Sequence, residues 1–258
     1  MKLATWNLNS IRAREKRLFA WLEAERPDVL CLQETKVEDA GFPLAPLEKL
    51  GYHVATFGQR SYNGVAILST QPLADVTRSF GDGQGNDEGD ARVIAATTHG
   101  IRVVCLYVPN GQELTSDKYP YKLAWYGRLR GYLDRTAKPD DLLVVCGDMN
   151  VTPDDRDVWS PEKWKDQIHC SAPEREALAN MMAFGLVDLF RAKYPDARTW
   201  SWWDYRGVSF FKDQGLRIDV IFGTKPILDK TTAVTIDRNA RKGQDASDHA
   251  PVIAMIDL

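Results

Sequence analysis

The chain has 258 residues, of which 44% are hydrophobic and 27% charged, with a formal net charge of −3. That length buries a substantial core without disulfides or a structural metal, and the composition is ordinary for a soluble globular protein. The acidic balance withholds the global basic footprint of most nucleic-acid binders, although the local face, not the total, decides whether phosphate is bound. Cys31, Cys105 and Cys146 sit inside the apolar runs DVLCLQ, RVVCLY and LLVVCGD, and there is no CxxC pair. Buried free thiols of a reducing compartment are expected, and a cysteine zinc site is not. Lys2 is followed at once by LATWNLN, which leaves no signal core, and the apolar runs are too short to cross a bilayer. A cytoplasmic protein without a membrane partner is expected.

In chain order, β-branched and apolar runs predict strands over residues 3–9, 29–35, 53–58, 64–70, 75–80, 92–99, 102–109, 142–150, 199–203, 217–223, 231–237 and 252–258. Helical spacing predicts four helices. Residues 10–26 place Ile11, Leu18, Trp21 and Leu22 on one stripe and Arg12, Arg14, Lys16 and Arg17 opposite. Residues 43–50 form a shorter helix closed by Gly51. Residues 118–137 carry Leu123, Tyr126, Leu129 and Leu133 near helical spacing, and residues 173–184 begin behind Ser171 as cap, with Pro173 in the first turn and Gly185 as terminator. Many strands with few helices predict an α/β architecture of two packed sheets flanked by helices. With no linker, repeat or low-complexity tract, residues 1–258 read as a single domain. The Gly/Asp-rich stretch 81–90 reads as a long, mobile hairpin loop between strands.

Several apolar strands end in polar residues for which a core has no use. Asn7 and Asn9 close the first; Gln33 and Glu34 the second; Tyr107 and Asn110 follow LYVPN; Asp148 and Asn150 stand in GDMN; Asp219 sits in LRID; Asp248 and His249 precede the last strand. Singly, each has an ordinary reading. Asp148 can cap a turn, Asp219 can pair with Arg217, and Tyr107 can be a half-buried strand aromatic. Together they form an oxygen-rich set with one imidazole, which suits Mg²⁺, or Mn²⁺ in its place, better than zinc. Such a set suits hydrolysis of a phosphodiester.

At these residues the chain resembles the exonuclease III family of abasic-site endonucleases, within the endonuclease/exonuclease/phosphatase superfamily. The likeness runs end to end through TWNLNSIR, DVLCLQETK, YNGVAILS, LYVPNG, VVCGDMNVTP, CSAPEREAL, GLVDLFR, WSWWDYRG, GLRIDVIF and SDHAPV. PEREAL, TWSWWDYRG and LRID narrow it to that branch; a phospholipid- or inositol-phosphate-cleaving branch is expected to lack the first two. The resemblance implies a four-layered α/β sandwich. It implies Glu34 as principal metal ligand with Asn7 beside it, and Asp248 as an outer or alternative ligand. Asp148 would position or deprotonate the attacking water, Asn150 would help hold the site, His249 oriented by Asp219 would meet the scissile phosphate, and Tyr107 would stabilise charge with Asn110 nearby. Trp202, Leu216 and Ile218 would wall a pocket for an extruded abasic sugar. The tryptophans of TWSWWDYRG also read as core aromatics. Backbone contacts are expected from Lys118 and Lys122, from Gln112 inserting into the duplex, and from the stretch RNARKGQ; Arg12 and Arg14 of the first helix read equally as backbone contacts and as a solvated helix face. The implied activity is incision 5′ to abasic sites together with 3′→5′ exonuclease and 3′-phosphatase action on double-stranded DNA with abasic or blocked 3′ ends, carried out by a monomer.

Overall fold

The computed structural model describes residues 1–84 and 90–258. Among the described residues, the first sheet contains β1 (Lys2–Asn7), β2 (Val29–Gln33), β3 (His53–Phe57), β4 (Val65–Ser69), β11 (Thr231–Ile236) and β12 (Val252–Ile256), in the order β11-β12-β1-β2-β4-β3. The second contains β5 (Ala74–Arg78), β6 (Val93–Thr98), β7 (Ile101–Tyr107), β8 (Leu143–Asp148), β9 (Val187–Asp188) and β10 (Asp219–Gly223), in the order β5-β6-β7-β8-β10-β9. Each sheet holds one parallel pair at its centre, β1 with β2 and β7 with β8. The other neighbours are antiparallel.

Alternation within the strands explains why the sheets stack. In β8, Val144 and Cys146 enter the core between the sheets, while Leu143 and Val145 face outward under helices. In β1, Leu3 faces inward and Ala4 and Trp6 outward. Strands buried on both faces become the near-continuous apolar runs seen in the sequence. Helices α1 (Ile11–Glu25) and α2 (Leu44–Lys49) cover the outside of the first sheet. Helices α3 (Lys118–Thr136) and α5 (Ala172–Met182) cover the outside of the second. The result is the expected four-layered sandwich. No helix among the described residues is long and apolar enough to cross a membrane.

The sequence expectations fail where tertiary contacts replace periodicity. Residues 199–203 form no strand, only isolated bridges from Trp202 to Leu216 and to His249. Their backbone is used to tie three loops together, through Ser201 N–H to Leu216 O (2.9 Å), Trp203 N–H to Asp248 O (3.0 Å) and Ala250 N–H to Ser201 O (2.7 Å). The short helices α4 (Pro161–Trp164), α6 (Leu189–Lys193) and α7 (Lys225–Lys230), and the two-residue β9, were too brief to show a period. The buried stripe of α3 is Lys122, Trp125, Tyr126, Leu129, Tyr132 and Leu133, and Leu123 lies off it. Strands β5 and β6 do pair as a hairpin; of the stretch 81–90 between them, read from sequence as mobile, residues 85–89 lie outside the described residues.

Asp219 does not pair with Arg217. The Arg217 side chain, 1% exposed, is engaged elsewhere: Nε donates to Asp157 Oδ1 (2.6 Å) and Nη2 to Asp188 Oδ2 (2.7 Å) over the Phe190 ring. Arg191 also donates to Asp157, at 2.6 Å. Removing one member of a buried ionic set strands the others without water. Arg217→Met should therefore cost about 3–5 kcal/mol of folding stability. Urea unfolding would show it, and a change under about 1 kcal/mol would mean the network carries no such weight.

Candidate active site at the mouth of the sheet seam

The inward register that fills the core continues past the last apolar residue of four strands. After Leu3 and Thr5 comes Asn7; after Val103 and Cys105 comes Tyr107; after Val144 and Cys146 comes Asp148; and before Ile221 comes Asp219. Because β7 runs parallel and β10 antiparallel to β8, Tyr107 and Asp219 are both register partners of Asp148. These polar side chains are thus delivered to one end of the seam by the rule that placed the apolar ones inside it.

Two further residues leave the strand pattern. Glu34 would point outward by alternation, but its left-handed backbone (φ 51°) turns it back to the seam. Thr35 N–H bonds Gly64 O (3.1 Å), and a Cβ on Gly64 (φ 90°) would lie 2.1 Å from Thr35 Oγ1, so only glycine lets the two loops approach. His249 precedes β12 and is held at three points: its carbonyl by Trp6 Nε1 (3.2 Å), its amide by Ser247 Oγ (3.2 Å) and its ring by Asp219, with Nδ1 2.9 Å from Oδ2.

The site closes around these contacts. Asn7 Nδ2 donates to Glu34 Oε1 and to Asp148 Oδ2, both at 2.9 Å, while its own oxygen accepts from Asn9 N–H (2.9 Å). Asn7 thus holds two carboxylates together. Glu34, Asp148 and His249 each offer a ligand atom, all within 4.8 Å of one another. His249 Nε2 lies 3.9 Å from Asp148 Oδ2. Lys36 sits beside this group, 2.8 Å from Glu34 Oε2. Asp248 stands apart from it: one oxygen accepts from Asn9 Nδ2 (2.9 Å), the other from Trp202 Nε1 (3.0 Å). Asn150 donates its N–H to Asp148 Oδ1 (2.9 Å) and its amide to Val108 O (2.9 Å), and accepts from Asn110 Nδ2 (3.1 Å).

The electrostatics follow from this crowding. Burial by itself would lower the proton affinity of His249, but the carboxylates of Asp219, Asp248 and Asp148 outweigh it and raise the pKa to about 10. The ring is an imidazolium at neutral pH. Burial pushes Asp148 up to about 7, helped by Asp219 and Glu34 and opposed by His249 and the Asn150 amide. Burial and the Glu34 and Asp148 charges raise Tyr107 well above the ordinary phenol range, so it is a neutral donor. Its ring stacks under Arg92, 4.8 Å away. The donor set suits a hard cation: two carboxylates converge, excess negative charge needs neutralising, and no thiol is among them.

The expected DNA-facing residues divide. Asn110, Gln112 and Lys118 line one groove of about 640 Å³ with Tyr107, Tyr62 and Arg92. Arg12 is exposed on α1, outside that lining. Arg14 donates to the Tyr205 hydroxyl (2.7 Å), and Arg17 to the carbonyls of Gln244 (2.7 Å) and Lys242 (2.7 Å), so part of the basic face of α1 clamps the RNARKGQ stretch. Lys122 is fully buried and faces no solvent. Trp202, Leu216 and Ile218 do cluster, but Leu216 is 0% and Ile218 2% exposed, packed under Val158, Cys170 and Trp164. Trp164, His169 and Trp202 form a ring triangle with centroids 6.4–6.5 Å apart. Trp203 is core, as the alternative reading had it. Sequence reasoning missed His169, whose Nδ1 lies 2.6 Å from Asn150 O and whose pKa burial lowers to about 4. Nothing local to IHCSA announces it.

These features define a class. Residues 4–249 match the model of the Endonuclease/Exonuclease/phosphatase family, and the chain belongs to that family. Among its relatives, exodeoxyribonuclease III of Haemophilus influenzae is 35% identical, over 98% of this chain and 99% of the relative. Among solved structures, an AP endonuclease from Archaeoglobus fulgidus superposes with a TM-score of 0.96 at 38% identity, covering 100% of both chains. A 3′ phosphatase from Neisseria bound to a product DNA hairpin superposes at 0.95, with 38% identity and 100% of both chains covered.

Replacing Asp219 by Asn removes the nearest charge that holds the His249 proton. Burial then prevails, and the His249 pKa should fall toward or below its ordinary 6.5. Imidazole nitrogen NMR shifts should show a ring charged across neutral pH in the wild type and titrating near or below neutrality in Asp219→Asn. A wild-type ring that titrates near 6.5 would contradict this assignment.

Proposed function

We propose that the chain is a divalent-metal-dependent nuclease of DNA repair, one that hydrolyses the backbone of duplex DNA 5′ to abasic sites and removes nucleotides and phosphate groups from 3′ ends. The observation that carries this reading is the convergence of Glu34, Asp148 and His249 at the mouth of the seam. The exonuclease, AP endonuclease and 3′ phosphatase relatives support it.

Glu34 and Asp148 would hold Mg²⁺, or Mn²⁺ in its place, with Asn7 fixing their separation and Asp248 further out. The bound cation supplies charge neutralisation on the phosphoryl oxygens. The remaining work falls to the chain. Asp148, with Oδ1 held by the Asn150 amide, orients a water and accepts its proton as the new O–P bond forms. His249, charged and pinned by Asp219, donates from Nε2 to a phosphate oxygen. Tyr107, as a neutral phenol, donates to the phosphate or to the departing oxygen, and the P–O3′ bond breaks. Asn110 lies beside Tyr107 in the groove, and Gln112 and Lys118 contact the strand; Arg12 contacts backbone further away. The shared core between the sheets supports reading residues 1–258 as one catalytic domain. Four free, buried cysteines fit a cytoplasmic setting, and we read the protein as a monomer.

The closed Trp202, Leu216 and Ile218 cluster bears on the balance of activities. An abasic sugar can enter there only if Trp164 or Trp202 moves, whereas a terminal 3′-phosphate needs the catalytic groups alone. One duplex carrying an abasic analogue, a 3′-phosphate and a recessed 3′ end should therefore show the 3′-phosphate removed fastest. Chelation should abolish all three reactions, and activity surviving chelation would refute the metal assignment. Asp148→Asn should lower kcat by about a thousandfold with DNA affinity within about threefold. Equal losses in kcat and in affinity would remove Asp148 from the chemistry.

A further inference from the structure

Lys122 interrupts the aromatic stripe of α3, and its side chain is 0% exposed, as is that of its ion-pair partner Glu174 on α5. The ammonium donates to three acceptors: Asn110 O (3.0 Å), Asn150 O (2.6 Å) and Glu174 Oε1. An ammonium has three donors, so none is left over. Glu174 Oε1 also accepts from His169 N–H (3.1 Å), and Oε2 accepts from Ser171 N–H (3.1 Å) and its hydroxyl (2.6 Å). The His169 ring returns to the same Asn150 carbonyl, 2.6 Å from Nδ1.

Packing α3 against α5 does not need this pair, because apolar side chains of similar volume replace buried ion pairs at little cost in stability. What only an ammonium can do here is hold two carbonyls from different loops. Those carbonyls belong to Asn110, in the loop after β7, and Asn150, in the loop after β8. Asn110 Nδ2 bonds Asn150 Oδ1 (3.1 Å), and Asn150 N–H bonds Asp148 Oδ1 (2.9 Å). Gly111 (φ 88°) lies against the Lys122 stem: a Cβ there would be 3.0 Å from Lys122 Cδ.

We propose that Lys122 and Glu174 are positioning residues that lock the loops after β7 and β8 in one register, so that Asn110, Asn150 and, through the Asn150 amide, Asp148 present a fixed face to the phosphate. The claim rests on the functional reading above. Neither residue touches substrate; Lys122 acts through the Asn110 and Asn150 carbonyls, and Glu174 acts by holding Lys122. Small displacements of that kind reduce turnover more than binding.

The test is the double substitution Lys122→Met with Glu174→Met, which removes both charges together. We expect cooperative urea unfolding, kcat lower by about a hundredfold on a 3′-phosphate duplex, and KM within about threefold. A purely structural pair would leave kcat alone once the protein is folded, so near wild-type kcat in a folded double variant overturns the proposal. The losses should also fail to add to those of Asn150→Ala, since both disturb the same loop; full additivity overturns it too. Should the double variant not fold, Glu174→Gln keeps the volume and one acceptor, and the same split between kcat and KM is expected, with unchanged kcat counting against the proposal. Failure of the wild-type protein to hydrolyse DNA would strike the functional reading alone. The lock would then be judged by amide exchange at Asn150 N–H, expected to accelerate at least about tenfold in the variant; an unchanged rate would overturn it.

Discussion

The His249–Asp219 pair, set against Asp148 at the mouth of the seam, is the contact on which the rest of the site depends. Burying a second carboxylate beside Asp219 would be prohibitive if the imidazole between them were neutral. With Nδ1 2.9 Å from Asp219 and Nε2 3.9 Å from Asp148, the ring carries positive charge into the middle of the group and makes the arrangement tolerable. Asp148 stays high in proton affinity, near 7, because burial and the remaining acids still act on it. A site in that condition is biased toward any species that brings positive charge or accepts protons, and a hard cation with a phosphate ester does both.

Around that pair the protein spends polar contacts on rigidity. Asn7 bridges Glu34 and Asp148; Trp6, Ser247 and Asp219 fix His249 at three atoms; Lys122 and Glu174 fix the loops that carry Asn110 and Asn150. Arg217, which precedes Asp219 by two residues, is anchored by Asp157 and Asp188. The two ionic networks are separate, yet each braces an element that brings a carboxylate to the mouth of the seam. Holding groups in place before substrate arrives is what lets dipoles and charges act without reorganising during the reaction.

Two further surfaces flank this group. The groove beside Tyr107 is lined by Tyr62, Arg92, Gln112 and Lys118, a mixture of ring faces and cations suited to a phosphodiester strand. On the other flank, Trp164, His169 and Trp202 pack ring against ring over Leu216 and Ile218. On the proposed reading, the chemistry and the choice of DNA lesion would fall to different parts of the molecule. This fits a family whose relatives include an exodeoxyribonuclease, an AP endonuclease and a 3′ phosphatase on one fold.

The layered architecture was written in the sequence, because doubly buried strands appear locally as near-continuous apolar runs such as LLVVCGD and KLATWN. Strand alternation carries Asn7, Tyr107, Asp148 and Asp219 to the inner face, and all four were legible beforehand as polar residues at the ends of apolar strands, their proposed roles coming from the family resemblance. Other features depend on contacts between residues far apart in the chain, and only the fold decided them. Glu34 reaches the seam through a left-handed backbone that its neighbours impose. Arg217 pairs with Asp157 and Asp188 instead of Asp219 because the fold brings both carboxylates within 2.7 Å of it. Lys122 reads as one more cation on an exposed helix, and becomes a buried clamp only because the Asn110 and Asn150 carbonyls and Glu174, up to 52 residues distant, meet over it. Leu216 and Ile218 read as an open pocket wall until Trp164 and Trp202 cover them. Periodicity is set by the local backbone and survives in a one-dimensional string; burial of a charge, or closure of a pocket, is set by what folds over it.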